Sequence, residues 1–143
     1  MGENTLVVED TPANRDFLER LLISAGFDVV SVPTAKEALD AAAKMPQLRL
    51  ALVDMELPDM DGVRLTAALR QTYPDVCIVV ATMHDDRRMI EDVFAHGGNI
   101  FLVKPHGFME LYKRLTTMDL AQLREGEPTV IDQYGPRTYS LAR

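Results

Sequence analysis

The chain is poor in cysteine. Cys77 is the only one in 143 residues, which excludes an internal disulfide and a cysteine-based zinc cluster. No apolar run reaches the ~18 residues that a membrane-spanning helix needs. Positive charge is also short: 15 Lys and Arg stand against 22 Asp and Glu, for a formal net charge of −7. A clustered basic surface for nucleic-acid phosphates is therefore not expected. The opening residues, MGENTLVVED, show no basic leader ahead of an apolar stretch, so the expectation is a cytoplasmic protein. What is present is 47% apolar and 26% charged residues, the balance of one globular domain with a proper core.

Apolar runs and helical patterns alternate along the chain. Thr5 to Val8 is a short β-rich run. Asn14 to Ala25 follows with Phe17, Leu18, Leu21 and Leu22 on one helical face, ended by Gly26. Asp28 to Val32 reads as a strand. Thr34 and Glu37 then have capping-box spacing, which predicts a helix to about Lys44, ahead of Met45-Pro46. Leu50 to Asp54 is apolar up to its last residue, as in a strand buried on both faces. After a loop from Met55 to Asp61, a helix is expected through Val63, Leu65, Leu69 and Tyr73. Val76 to Thr82 is the most apolar strand, and Asp85 or Asp86 caps the next helix, through Met89, Ile90, Val93 and Phe94. Ile100 to Val103 and Phe108 to Leu115 form a fifth strand–helix pair.

Five such units with short connections predict right-handed crossovers and a three-layer, doubly wound α/β fold around an open parallel sheet. Met118 to Arg143 shows no sixth unit, only a short helical turn that Asp119 could cap. Yet Val130, Ile131, Tyr134, Tyr139 and Leu141 make this tail too apolar for a flexible spacer. It is expected to pack back on the domain or onto a second copy.

In such sheets ligands bind beyond the carboxyl ends of the strands. Strand one ends in Glu9-Asp10, strand three in Asp54, strand four in Thr82 and strand five in Lys104-Pro105. Carboxylates brought together at one edge repel, which favours a hard divalent cation with oxygen ligands, Mg²⁺ above all. An ionised Asp54 can then act as a nucleophile, with Thr82 and Lys104 holding the oxygens of a transferring phosphoryl group. Each residue also has a plain structural use: Asp54 could cap a turn, Thr82 fill a strand, Lys104 lie on the surface. The joint order of these five positions along four strand ends is what points to phosphoryl transfer.

That order, with the phrases VVEDTPANR, LVDMELPDMDG and FLVKP, resembles the receiver domain of two-component response regulators over residues 4–117. The resemblance implies a flavodoxin-like, five-stranded sheet in the order 2-1-3-4-5, with a receiver domain at 1–117 and an extension or linker start at 118–143. It implies that Asp54 accepts a phosphoryl group from a histidine kinase or histidine phosphotransfer protein. Asp10 and Asp54 would bind Mg²⁺ by side chain, Glu56 through its backbone carbonyl and Glu9 through water. Thr82 and Lys104 would bind phosphoryl oxygens, Thr82 and Phe101 would form the switch, and Lys104-Pro105 would be cis. The protein would be no conventional enzyme, catalysing only its own phosphorylation and dephosphorylation, with output through a downstream protein partner. No direct nucleic-acid or membrane contact is implied; a homodimer is compatible with the pattern.

Departures from the family pattern bear on this. Met83 is larger than the Ala or Gly usual after the threonine, and could narrow access to Asp54. Glu56 and His84 stand where they could influence attacking water. Gly97-Gly98-Asn99-Ile100 replaces an acidic pair common before the switch aromatic, which weakens the case for a salt-bridged dimer through the fourth helix, fifth strand and fifth helix. As a core aromatic without a hydroxyl, Phe101 could act only through packing. His96, His106 and Cys77 read as structural. A phosphate-independent, receiver-like interaction module is the alternative function. An Asp-nucleophile phosphohydrolase fits poorly, because Asp54-Met-Glu56 follows the third strand and no cap-sized insertion exists. The 26 residues after Thr117 are too few for a helix-turn-helix output domain, so the chain reads either as a stand-alone receiver or as a piece of a longer regulator.

Overall fold

The computed structural model describes residues 2–139. Strands β1 (Asn4–Val8), β2 (Asp28–Val32), β3 (Leu50–Asp54), β4 (Cys77–Thr82) and β5 (Ile100–Val103) alternate with helices α1 (Pro12–Ser24), α2 (Ala35–Ala43), α3 (Gly62–Thr72), α4 (Arg87–Ala95) and α5 (Gly107–Thr117). All five strands run parallel in the order β2-β1-β3-β4-β5. The three-layer flavodoxin-like architecture expected from the sequence is present.

Local chemistry sets the boundaries. Pro12 lies in the first turn of α1, where its missing N–H costs nothing, and Gly26 turns the chain away from that helix with φ +96°. Thr34, Asp61 and Asp86 each accept the amide of the residue three positions on, capping α2, α3 and α4. Of the two aspartates that could have started α4, Asp86 does so.

The sheet divides two apolar layers. On one face Leu18 and Leu22 of α1 and Phe108, Leu111 and Leu115 of α5 pack on Val7, Leu52, Val79 and Leu102. On the other, Ala38 of α2, Leu65 and Leu69 of α3 and Ile90, Val93 and Phe94 of α4 cover Leu6, Val53, Val80 and Phe101. Strands β3 and β4 are buried from end to end, as near-continuous apolar runs require. No helix among the described residues is long and apolar enough to cross a membrane.

The expectation that the tail adds no further strand fails. A short helix α6 (Leu120–Glu125) is closed by a full capping box between Asp119 and Gln122, and strands β6 (Thr129–Asp132) and β7 (Gly135–Thr138) follow it. β6 adds parallel to β5, pairing Phe101 with Val130 and Leu102 with Ile131, and β7 returns antiparallel to make a seven-stranded sheet. Val130 enters the α4-side layer and Ile131 the α5-side layer, both without solvent exposure. Thus the tail packs back on its own domain, as one of the two expected placements had it; Leu141 lies outside the described residues.

Asn99 fastens the tail's entry. Its Oδ1 accepts from the Ile78 amide (2.8 Å) and Arg70 Nη2 (2.7 Å), while its Nδ2 donates to the Arg124 carbonyl (3.1 Å). The segment that departs from the family's acidic pair is therefore a bracket between β4 and α6.

If β6 is an integral strand, Ile131→Ala should lower unfolding stability by about 2–5 kcal/mol in urea. A loss below ~0.5 kcal/mol, the scatter of surface substitutions, would mean that the tail stands off the sheet in solution.

Candidate functional site

Parallel register carries the site residues to one edge. Val8 pairs with Val53, Asp54 with Ala81 and Thr82 with Val103, so the residues at and just beyond these pairs lie side by side. Glu9 and Asp54 are buried, Thr82 is buried beside them, and Asp10 faces solvent. One carboxylate oxygen from each of Glu9, Asp10 and Asp54 lies within 4.8 Å of the others, a spacing that one cation could span. Lys104 follows β5 and reaches back across β4: its Nζ is 3.0 Å from Glu9 Oε1 and 3.1 Å from Asp54 Oδ1. The Lys104-Pro105 peptide is cis.

Electrostatics at the site follow from one ammonium serving two buried carboxylates. Desolvation pushes the Asp54 pKa up; the Lys104 charge opposes this, but the neighbouring Glu9 charge adds to it, and the balance lies at about 6. Burial disfavours the Lys104 ammonium too, yet its hydrogen bond to Glu9 and the charges of Asp54 and Glu9 outweigh that and hold its pKa above the usual lysine value. The lysine gains fully from both partners while Asp54 has only a share of the lysine. Asp54 is therefore the group at the site with most to gain from an additional positive charge.

The other predicted residues take differing places. The Glu56 amide donates to Asp54 Oδ1 at 3.4 Å, which puts the Glu56 backbone beside the carboxylate while its side chain is exposed. The Thr82 hydroxyl accepts from the His84 amide at 3.2 Å. Phe101 has no solvent exposure and lies in the α4-side layer with Val130 and Phe94. Met83 is 62% exposed. His84, His96 and His106 are exposed, and Cys77 is buried, its thiol pushed up to about 12 by desolvation.

Three supporting residues escaped the sequence reading. Arg15 Nη1 donates to the Glu9 carbonyl at 2.9 Å, tying the first turn of α1 to the acidic pair. Asp59 accepts the Ala35 and Lys36 amides, both at 2.9 Å, and pins the loop after β3 to the start of α2. Gly62 lets α3 begin against the end of β3: a Cβ there would lie 2.7 Å from the Asp54 carbonyl oxygen and 2.7 Å from Met55 Cα. The helix through Val63 and Leu65 was visible in the sequence; the contact at its first residue was not.

A family model described as the response regulator receiver domain matches residues 5–116. The regulatory protein LuxO of Vibrio vulnificus (strain YJ016) is 33% identical over 100 residues, covering 69% of this chain and 22% of LuxO. The DNA-binding transcriptional regulator NtrC of Escherichia coli K12 is 28% identical over 133 residues, covering 92% of this chain and 28% of NtrC. The chain thus spans between a fifth and a third of these two relatives. Among solved structures, a CheY-like response regulator receiver domain protein of Methanospirillum hungatei JF-1 superposes with TM-score 0.77 at 25% identity, over 88% of this chain and 100% of its own.

The raised Asp54 pKa carries a sign for stability. The folded state holds this proton more tightly than the unfolded chain, so the ionised form burdens the fold increasingly as pH rises from about 4 to about 6, by roughly 2–3 kcal/mol at the top. In EDTA, Asp54→Asn should be more stable than wild type at pH 7, and the advantage should shrink towards pH 4. An advantage in urea midpoint that is the same at both ends would exclude the buried charge as its source.

Proposed function

This chain belongs to the response regulator receiver family, and from that membership we propose that it is a phosphorylation-dependent signalling switch with Asp54 as phosphoacceptor. The observation that carries the reading is the Lys104 ammonium bridging Glu9 and Asp54, with an oxygen of Asp10 close by. Residues 1–117 are the switch unit in this reading, and 118–143 an extension built onto it.

An Asp54 carboxylate oxygen attacks the phosphorus of a phosphohistidine on a histidine kinase or phosphotransfer protein. The new P–O bond forms as the P–N bond breaks, and the electron pair returns to the donor imidazole. In dephosphorylation water attacks phosphorus, the P–O bond to Asp54 breaks, and Asp54 regains its carboxylate while the water proton passes to solvent. Lys104 and the Thr82 hydroxyl bind the phosphoryl oxygens, where negative charge is concentrated during transfer. The strand register holds the nucleophile and both donors in place beforehand, so alignment costs little at the moment of reaction.

Glu9, Asp10 and Asp54 would hold Mg²⁺ with the Glu56 carbonyl, an all-oxygen set that suits this hard cation. When bound, the cation supplies the positive charge that the overburdened Lys104 does not, and stabilises the phosphoryl oxygens. Phe101 is the packing element that reads the state of Thr82. Output in this reading runs through a protein partner.

Intact mass after exposure to acetyl phosphate tests this. Wild type should gain a single phosphoryl adduct only with Mg²⁺, Asp54→Asn should gain none, and Lys104→Ala should react roughly 100-fold more slowly. An unmodified wild type that also fails to bind Mg²⁺ would replace this reading with a phosphate-independent interaction module.

A further inference from the structure

The tail ends its described course on α4. After β7 the Tyr139 ring stacks on Phe94, with centroids 5.4 Å apart and planes 31° apart. Its hydroxyl donates to Glu91 Oε2 at 3.2 Å, the oxygen that also takes Arg87 Nε at 3.2 Å. Its amide donates to the Pro128 carbonyl at 2.8 Å, across the mouth of the hairpin. One residue thus straps the hairpin to Arg87, Glu91 and Phe94 of a single helix. The hold is light. Val130 and Ile131 are sealed in the two core layers, whereas Tyr139 is only half-buried at the margin of the α4-side layer.

Two physical connections run from the acidic edge to this strap. The first is covalent: Thr82 is followed by His84, whose amide bonds the Thr82 hydroxyl, and then by Asp86, the cap of α4. A hydroxyl turned towards a phosphoryl group on Asp54 leaves the His84 amide without its acceptor and loosens the start of the helix that Tyr139 grips. The second is packing. Thr82 pairs with Val103 on β5, and Phe101 of that strand shares a layer with Val130, Phe94 and Tyr139.

Resting on the switch reading above, we propose that Tyr139 is an intramolecular latch which phosphorylation of Asp54 releases, uncovering the Phe94 face of α4 while β6 stays in the sheet. The latch and the phosphoryl group then oppose one another, and linkage makes the effect reciprocal. Whatever loosens Tyr139 must favour the phosphorylated form by the same factor.

The test uses the full chain with Mg²⁺ and beryllofluoride, an acyl-phosphate mimic, and follows amide hydrogen exchange over 128–139. Exchange at Tyr139 should accelerate at least about fivefold on loading, the lower end of ordinary coupling, while the Val130 and Ile131 amides stay protected. Asp54→Asn should show no change. By calorimetry, Tyr139→Ala should bind beryllofluoride more tightly by the same factor, and Tyr139→Phe, which keeps the ring contact, should fall between. Loading with unchanged exchange at Tyr139, or equal affinities of wild type and Tyr139→Ala, would overturn the latch and leave the switch standing. Failure of wild type both to load and to form an adduct with acetyl phosphate would overturn the switch, and the latch with it.

Discussion

One ammonium group holds the acidic edge together. Glu9 and Asp54 are buried at the ends of adjacent strands, where their charges repel in a medium that screens poorly, and Lys104 is the cation that joins them. The pairing is unequal. Lys104 is satisfied by two carboxylates, but each carboxylate has only part of a lysine, and burial, with the Glu9 charge beside it, raises the Asp54 pKa in spite of that share. A site built this way is incomplete in charge and complete in geometry. Its three carboxylates could be spanned by one additional cation, which would favour the ionised form of Asp54.

The rest of the fold serves this edge by register. β1, β3, β4 and β5 must end level for Glu9, Asp54, Thr82 and Lys104 to meet, and parallel pairing across those strands fixes that alignment. Two close contacts reinforce it. Gly62 permits α3 to begin against Asp54 and Met55, and Arg15 ties α1 to the carbonyl of Glu9. The helices therefore do more than cover the sheet: their first turns brace the loops that carry the acids.

Much of this was legible in the sequence because parallel strands advertise themselves. Leu50–Asp54 and Cys77–Thr82 are unbroken apolar runs that stop at a polar residue of the candidate site, so burial and site position are read from the same letters. Caps at Thr34 and Asp86 were equally local. The tail was not. β6 contributes four residues after Pro128, and β7 carries Pro136 and is mostly exposed, so neither shows a period long enough to declare a strand. Both exist because β5 offers an open edge, a long-range fact that no window of the tail contains. Asp59 and Gly62 escaped for the same reason, since each matters through a partner distant in sequence or through the absence of a side chain.

The hairpin also changes what the molecule presents. Without it, β5 would be an edge strand with apolar residues on both faces, an invitation to pair with another chain. β6 takes that edge and buries Val130 and Ile131 against it, and β7 ends the sheet with Pro136 and Arg137, which discourage further pairing. The same segment closes on α4 through Tyr139. Thr82 is joined to the loop before α4 through the His84 amide and to β5 through its pairing with Val103, and the tail packs on both α4 and β5. Any partner that reads this edge from the α4–β5 side must therefore recognise the hairpin as part of the surface or compete with it. The tail, and not the helices common to the fold, is therefore what sets this surface apart.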